Sequence, residues 1–147
     1  MATNYRELVV WQKAMELAEA VYRFAHALPD IERFGLSAQL RRAAISVPSN
    51  VAEGHERRSR ADYRRFITIA CGSLAELETQ VELATRLHHP NADLTASVVD
   101  RADQTGRLLR AIERKLRTTT LAEESARYET AVEIEPASPQ PSALSPE

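Results

Sequence analysis

The sequence is poor in the residues that build most catalytic and metal sites. Cys71 is its only cysteine, so no disulfide can form within the chain. Four glycines leave little room for a phosphate-cradling loop, and neither an HExxH, a CxxC nor a nucleophile-elbow pattern occurs. His88 and His89 are adjacent and point in different directions, and no cysteine or acidic cluster completes a ligand set. We therefore expect no enzymatic activity, no cofactor and no bound metal.

Aromatic residues and long apolar runs are also scarce. Aromatics make up 5% of the chain, whereas alanine and leucine are plentiful, and this composition favours helices over a β-sandwich. Neither a secretory signal nor a stretch of about 20 apolar residues occurs. We therefore expect a cytoplasmic, all-α protein that does not enter the membrane.

Charge is unevenly distributed along a chain whose net charge is −2. Residues 1–120 carry 18 Lys or Arg and 15 Asp or Glu, whereas residues 121–147 carry one Arg, six Glu and four of the seven prolines. A segment of the second composition cannot bury enough apolar surface to fold by itself. We expect one folded domain over 1–120 and an acidic, proline-rich tail over 121–147 that is largely disordered, with a frayed helix as the alternative for 121–134.

Four segments repeat apolar residues three or four positions apart, at about 6–28, 37–54 and 93–118 and in a seam from Tyr63 to His88. The third segment is the most regular, with an unbroken seam of alternating spacings. Four helices joined by short loops form an antiparallel up-down-up-down four-helix bundle. This bundle is the predicted fold.

The second helix has an internal proline and recognisable end signals. Pro48 removes a backbone hydrogen bond, so we expect the helix to kink or break there. Ser37 is the expected N-cap and Gly54 the expected C-terminal stop. Ser59, with Asp62 three residues later, is typical of the start of the third helix.

Helix one has more apolar surface than one bundle core needs. One apolar stripe includes Trp11, Ala14 and Ala18, and a second contains Val10 and Leu17. The surplus face needs a partner, so we expect a homo-oligomer.

Four sequence blocks resemble a known family. They are Trp-Gln-Lys-Ala at 11–14, Gln-Leu-Arg-Arg-Ala at 39–43, Pro-Ser-Asn-Val-Ala-Glu-Gly at 48–54 and Gly-Ser-Leu-Ala-Glu-Leu at 72–77. With their spacing, the chain from about 6 to 117 resembles the 23S rRNA intervening-sequence (S23) family of four-helix bundles. That family is similar to the accessory variability proteins of diversity-generating retroelements, which are basic, form pentameric barrels and bind a reverse transcriptase and nucleic acid. The resemblance implies a non-enzymatic pentamer with RNA or a reverse transcriptase as partner.

Arginines are concentrated where the predicted bundle brings one end together. The candidate nucleic-acid-binding residues are Arg57, Arg58, Arg60, Arg64, Arg65, Arg110, Arg114 and Arg117. The first five flank the start of helix three, and the other three lie near the end of helix four. Arginines at a helix C-terminus complement its dipole, whereas those around a helix N-terminus oppose it and favour an anion. The pattern therefore predicts a phosphate-binding end, which we call the basic end.

Three alternatives remain open from the sequence. The basic end could be an ordinary ion-paired face, and the protein could be an interaction scaffold that does not bind nucleic acid. The acidic tail could compete with RNA for the basic end or only increase solubility. Arg42, Asn50 and Glu53 form a candidate polar cluster, which we interpret as structural and bonded to helix three near Gly72 and Ser73, with a ligand site as the alternative.

Overall fold

The structure, a computed structural model, describes residues 4–134, apart from the side chains of 132–134. A 3₁₀ turn at Tyr5–Glu7 precedes helix α1, Val9–His26, and a second 3₁₀ turn at Asp30–Glu32 precedes α2, Leu36–His55. Helices α3, Arg60–His88, and α4, Ala92–Ile134, complete the described part, which contains no strand. Each helix packs against two others, in the closed cycle α1–α2–α3–α4. The predicted all-α four-helix bundle is confirmed.

The core lies along the common axis of the four helices. Every helix supplies fully buried side chains, among them Leu17, Leu40, Leu77 and Leu109. In α3 the buried positions follow the seam predicted from the sequence, from Ile67 to Ala84. Burial of each such side chain contributes about 1.5–3 kcal/mol, so apolar packing is the main stabilising term.

Two of the predicted signals in helix two act differently in the structure. Ser37 is not the N-cap: it is buried and donates its hydroxyl hydrogen to the Ala25 carbonyl oxygen, 3.1 Å away. A Glu32 carboxylate oxygen instead accepts from the Leu36 N–H at 2.8 Å. α2 also continues through Pro48, so the proline does not break it; the kink stays a prediction.

Helix four is longer than its apolar pattern predicts. It continues past the expected end near 118 to Ile134, so the acidic segment 121–134 is helical here. Thr118, Thr119 and Thr120 each donate a hydroxyl hydrogen to the carbonyl four residues earlier, which satisfies these hydroxyls within the helix. The predicted disorder of 135–147 concerns residues outside the described part. None of the described helices combines the length and apolarity needed to cross a bilayer.

Candidate nucleic-acid interface

A close contact between α2 and α3 positions the first group of arginines. A Cβ atom added to Gly54 would lie 2.7 Å from Phe66 Cβ and 3.0 Å from Tyr63 Cδ2. The last turn of α2 therefore rests directly on the first turns of α3. Gly54 is needed for this approach and does not stop the helix, which ends one residue later.

Phe66 holds two of the predicted arginines in place. Its ring is 7% exposed, and the Arg57 and Arg65 guanidinium carbons lie 4.8 Å and 5.0 Å from its centroid. Cation–π contacts of this kind contribute about 0.5–1 kcal/mol at exposed sites. Arg57 also pairs with Glu53, with 2.7 Å between Nη2 and Oε1. The backbone start of α3 is capped as predicted, because Ser59 Oγ accepts from the Asp62 N–H at 3.1 Å.

Ion pairs between α3 and α4 bring Glu113 and Arg117 beside the first turns of α3, whereas Arg110 lies beside Cys71, about 16 Å farther along α3 than Arg60. Arg64 Nε lies 3.3 Å from Glu113 Oε1, and Arg117 Nη1 lies 3.9 Å from Glu113 Oε2. Arg60 Nη1 lies 3.5 Å from Glu123 Oε1, on the part of α4 assigned from the sequence to the tail. Acidic residues of α4 thus neutralise part of the basic end. The Arg60–Glu123 pair is exposed, and such pairs contribute only about 0–1 kcal/mol, so a competing anion can replace it. Arg64 and Glu113 are half-buried, at 34% and 20% exposed.

Half of the eight predicted arginines have no carboxylate partner among the described residues. The unpaired set is Arg58, Arg65, Arg110 and Arg114. All four are exposed, as is the neighbouring Lys115. The basic end therefore combines ion-paired cations with cations that remain available to an anion.

Arg110 also lies near the single cysteine. Burial raises the pKa of the Cys71 thiol, and the Arg110 charge opposes that change. Both residues line a small cleft with Gly106, where an added Cβ would lie 2.9 Å from Arg110 Nη1. The thiol is thus protonated in its resting state, which disfavours a role as a nucleophile.

The predicted polar cluster is only partly formed. Asn50 donates to the Ser46 carbonyl and hydroxyl oxygens, and the Ser46 and Ser73 hydroxyls are 2.7 Å apart, which links α2 to α3. Glu53 pairs with Arg57 instead, and Arg42 is exposed. No hydrogen bond or ion pair joins Arg42, Asn50 and Glu53 in the described residues. The polar link therefore uses serines in place of the two charged residues.

An apolar groove, called here the α1–α2 groove, lies on the outer side of α1 and α2 and has a volume of about 710 Å³. Its apolar and aromatic lining includes Tyr5, Trp11, Met15, Tyr22, Ile45 and Pro48. The surplus apolar face of helix one predicts its α1 side. The sequence does not indicate the α2 side, because Pro48 is recognisable only by its backbone effect and Ile45 lies outside the apolar stripe of helix two.

These features define a class: an all-α bundle with a close α2–α3 junction, an arginine-rich end and an exposed apolar groove. The family model described as 23S rRNA-intervening sequence protein matches residues 6–111, and the chain belongs to that family. It is also similar to the crystal structure of a protein with unknown function from the S23 ribosomal protein family from Bacteroides thetaiotaomicron VPI-5482. The two chains are 27% identical with a TM-score of 0.64, and the match covers 71% of this chain and 98% of that one. No curated protein matches the chain.

Proposed function

We propose that this protein is a non-catalytic accessory protein that assembles as a homopentamer and binds nucleic acid through the basic end of each bundle. Its ligand is RNA, free or within a reverse-transcriptase complex. The resemblance to accessory variability proteins noted from the sequence motivates the pentamer and the partner. The basic end supplies the physical basis for binding.

The observation that carries this proposal is the set of unpaired cations around the start of α3. Residues 53–66 and 106–124 together hold ten cationic and six anionic side chains. The N-terminus of α3 adds the partial positive charge of its helix dipole at the same place. Phosphate groups are the natural ligands of such a surface, because Arg offers several N–H donors in a fixed plane. Base-specific recognition is not part of the proposal, since the nearby rings of Tyr63 and Phe66 are half-buried and buried.

A pentamer would repeat this end five times. Each bundle would then need only weak phosphate contacts, because linked sites raise the overall affinity through effective concentration. Release of counterions from the RNA would make the binding strongly dependent on salt.

Two charge-matched variants test nucleic-acid binding. The first replaces Arg58, Arg65 and Arg114 by alanine, and the control replaces the exposed Arg33, Arg42 and Arg86 toward the other end. RNA affinity is measured by fluorescence anisotropy with an oligouridine of about 20 nucleotides between about 50 and 200 mM salt. We expect the first variant to lower the slope of log K against log salt by about 2 for each bundle that the RNA contacts, since each lost single-strand contact removes about 0.7. The control should retain the wild-type slope.

Equal slopes for the two variants would contradict the assignment of the site. Absence of wild-type binding at about 50 mM salt would contradict the function itself and favour the second candidate, a protein-interaction scaffold. The scaffold is supported by the α1–α2 groove, which offers an apolar surface to a protein partner.

Sedimentation equilibrium tests the assembly. The expected result is a particle with five times the mass of a single chain. A single-chain mass at all accessible concentrations would contradict self-association.

A further inference from the structure

The α1–α2 groove concentrates aromatic rings in a chain that has few. Of one Trp, four Tyr and three Phe, the groove is lined by Trp11, Tyr5 and Tyr22. Tyr5 and Trp11 meet edge to face with centroids 5.5 Å apart. Open grooves lined by aromatic rings are the surfaces that bind proline-rich segments in the polyproline II conformation.

The chain itself contains a segment of that composition. Residues 135–147 read Glu-Pro-Ala-Ser-Pro-Gln-Pro-Ser-Ala-Leu-Ser-Pro-Glu, with Pro136 and Pro139 in PxxP spacing. In the polyproline II conformation the six residues 136–141 span about 19 Å. Trp11 and Tyr22 are eleven positions apart on α1, or about 17 Å along its axis. The proline-rich core of the segment and the aromatic floor of the groove therefore have matching lengths.

We propose that the α1–α2 groove binds the proline-rich segment 135–147 of a second copy of this chain. The proposal rests on the self-association in the proposed function and not on nucleic-acid binding. Charge supports this occupant. Arg6 lies over the Tyr5 ring at one end of the groove, and Arg23 lines the other end beside Tyr22. Glu135 directly precedes the first proline, so its carboxylate can pair with Arg6 or with Arg23. Glu19 is the one acidic residue in the groove lining, so little negative charge opposes this pairing.

Geometry excludes binding within one chain. Glu16 Oε2 lies 3.2 Å from Arg101 Nη1, which places these residues at the same level of the antiparallel α1 and α4. Trp11 is therefore level with about residue 106, and Ile134 lies about 42 Å farther along α4. Pro141 is seven residues beyond Ile134, and seven extended residues reach only about 25 Å. Pro136, Pro139 and Pro141 can therefore meet the groove of another chain but not of their own.

Trp11 is the only tryptophan of the chain, so its fluorescence reports on the groove. The experiment uses the full chain with Pro136, Pro139 and Pro141 replaced by alanine, which leaves the groove unoccupied. A synthetic peptide of residues 135–147 is titrated into it. We expect the Trp11 emission to shift to shorter wavelength, and a peptide with the same three prolines replaced to bind at least about tenfold more weakly, because it is less preorganised.

Matched variants localise the effect. Tyr22→Ala should weaken peptide binding, whereas Tyr128→Ala, which removes an exposed tyrosine on α4, should not. In sedimentation, the proline-substituted full chain should dissociate at a higher concentration than the wild type. A control with Ser138, Gln140 and Ser142 replaced by alanine should sediment like the wild type.

The outcomes distinguish groove binding from the self-association on which it rests. An unchanged Trp11 emission at saturating peptide, with a wild-type chain that still assembles, overturns groove docking and leaves self-association intact. Peptide binding by a chain that stays monomeric in sedimentation overturns the second-copy occupant and self-association together. An equal response of Tyr22→Ala and the parent to the peptide would also overturn the proposal.

Discussion

Replacing Gly54 by alanine tests how the arginine-bearing junction is built. At an unhindered helical position this change stabilises by about 0.5–1 kcal/mol, and Gly54 has a negative φ that alanine can adopt. The new Cβ would, however, lie 2.7 Å from Phe66 Cβ and 3.3 Å from the Tyr63 carbonyl oxygen. Neither atom is at the end of a flexible side chain, so α2 and α3 must move apart. Overpacking of this kind costs about 1–3 kcal/mol.

Gly72→Ala is the matched control, because a Cβ at Gly72 would have no heavy atom within 4 Å. It should stabilise by about 0.5–1 kcal/mol, so the two variants should differ by about 1–3 kcal/mol. Urea unfolding followed by far-UV circular dichroism measures both. A thermal melt should show the same order, at about 2–4 °C per kcal/mol for a chain of this size. If Gly54→Ala stabilises as much as Gly72→Ala, the close α2–α3 contact described here is wrong.

Three further predictions concern the core, the basic end and the thiol. The Thr105 hydroxyl is buried without a hydrogen-bond partner among the described residues. Thr105→Val should therefore leave the free energy of unfolding in urea unchanged or raise it by about 1 kcal/mol. A loss of about 1 kcal/mol would contradict the absence of a partner. Glu113 pairs with Arg64 and Arg117, so Glu113→Gln should cost about 0–1 kcal/mol of stability. It should also strengthen RNA binding, because it frees two arginines from a negative charge. Unchanged RNA affinity would show that Glu113 is not part of the interface. Burial raises the pKa of the Cys71 thiol above its ordinary value of 9.0. Alkylation by iodoacetamide should therefore be slower in the folded chain than in urea, and its rate should increase only as the pH rises above 9.0. Arg110→Ala should raise that pKa further and slow the reaction, and a faster reaction would contradict the assigned charge effect.

The helices and their order were predictable because apolar spacing is a local signal. The seam of α3 identified buried residues such as Ile67 and Leu77 directly. The end signals were less reliable, because Ser37 and Gly54 each had a tertiary partner that the sequence does not display. The helix over 121–134 was predicted only as an alternative to disorder, for a different reason. Residues 121–131 do not contribute to the core, so they carry no apolar spacing from which a helix could be predicted.

The candidate site was predictable in position but not in charge balance. The antiparallel order alone predicted both arginine groups at one end, and the structure brings Arg117 there but leaves Arg110 beside Cys71. Their carboxylate partners could not be assigned, because Arg64 and Glu113 are 49 positions apart and Arg60 and Glu123 are farther still. Only the packed helices show which cations are neutralised. Only the α1 wall of the α1–α2 groove was predicted, because its other wall belongs to α2 and the packing of the two helices is not visible in the sequence.

The part of α4 beyond residue 120 has a thermodynamic consequence. Residues 121–131 are exposed on every side, and an isolated helix of this length is marginal in water because its first turn is costly to nucleate. Here the preceding packed turns supply that nucleus, so each added turn depends on the one before it. Amide hydrogens should therefore exchange with solvent deuterium at rates that increase steadily from residue 121 to residue 134, whereas those of 98–109 should exchange slowly and together, limited by global unfolding.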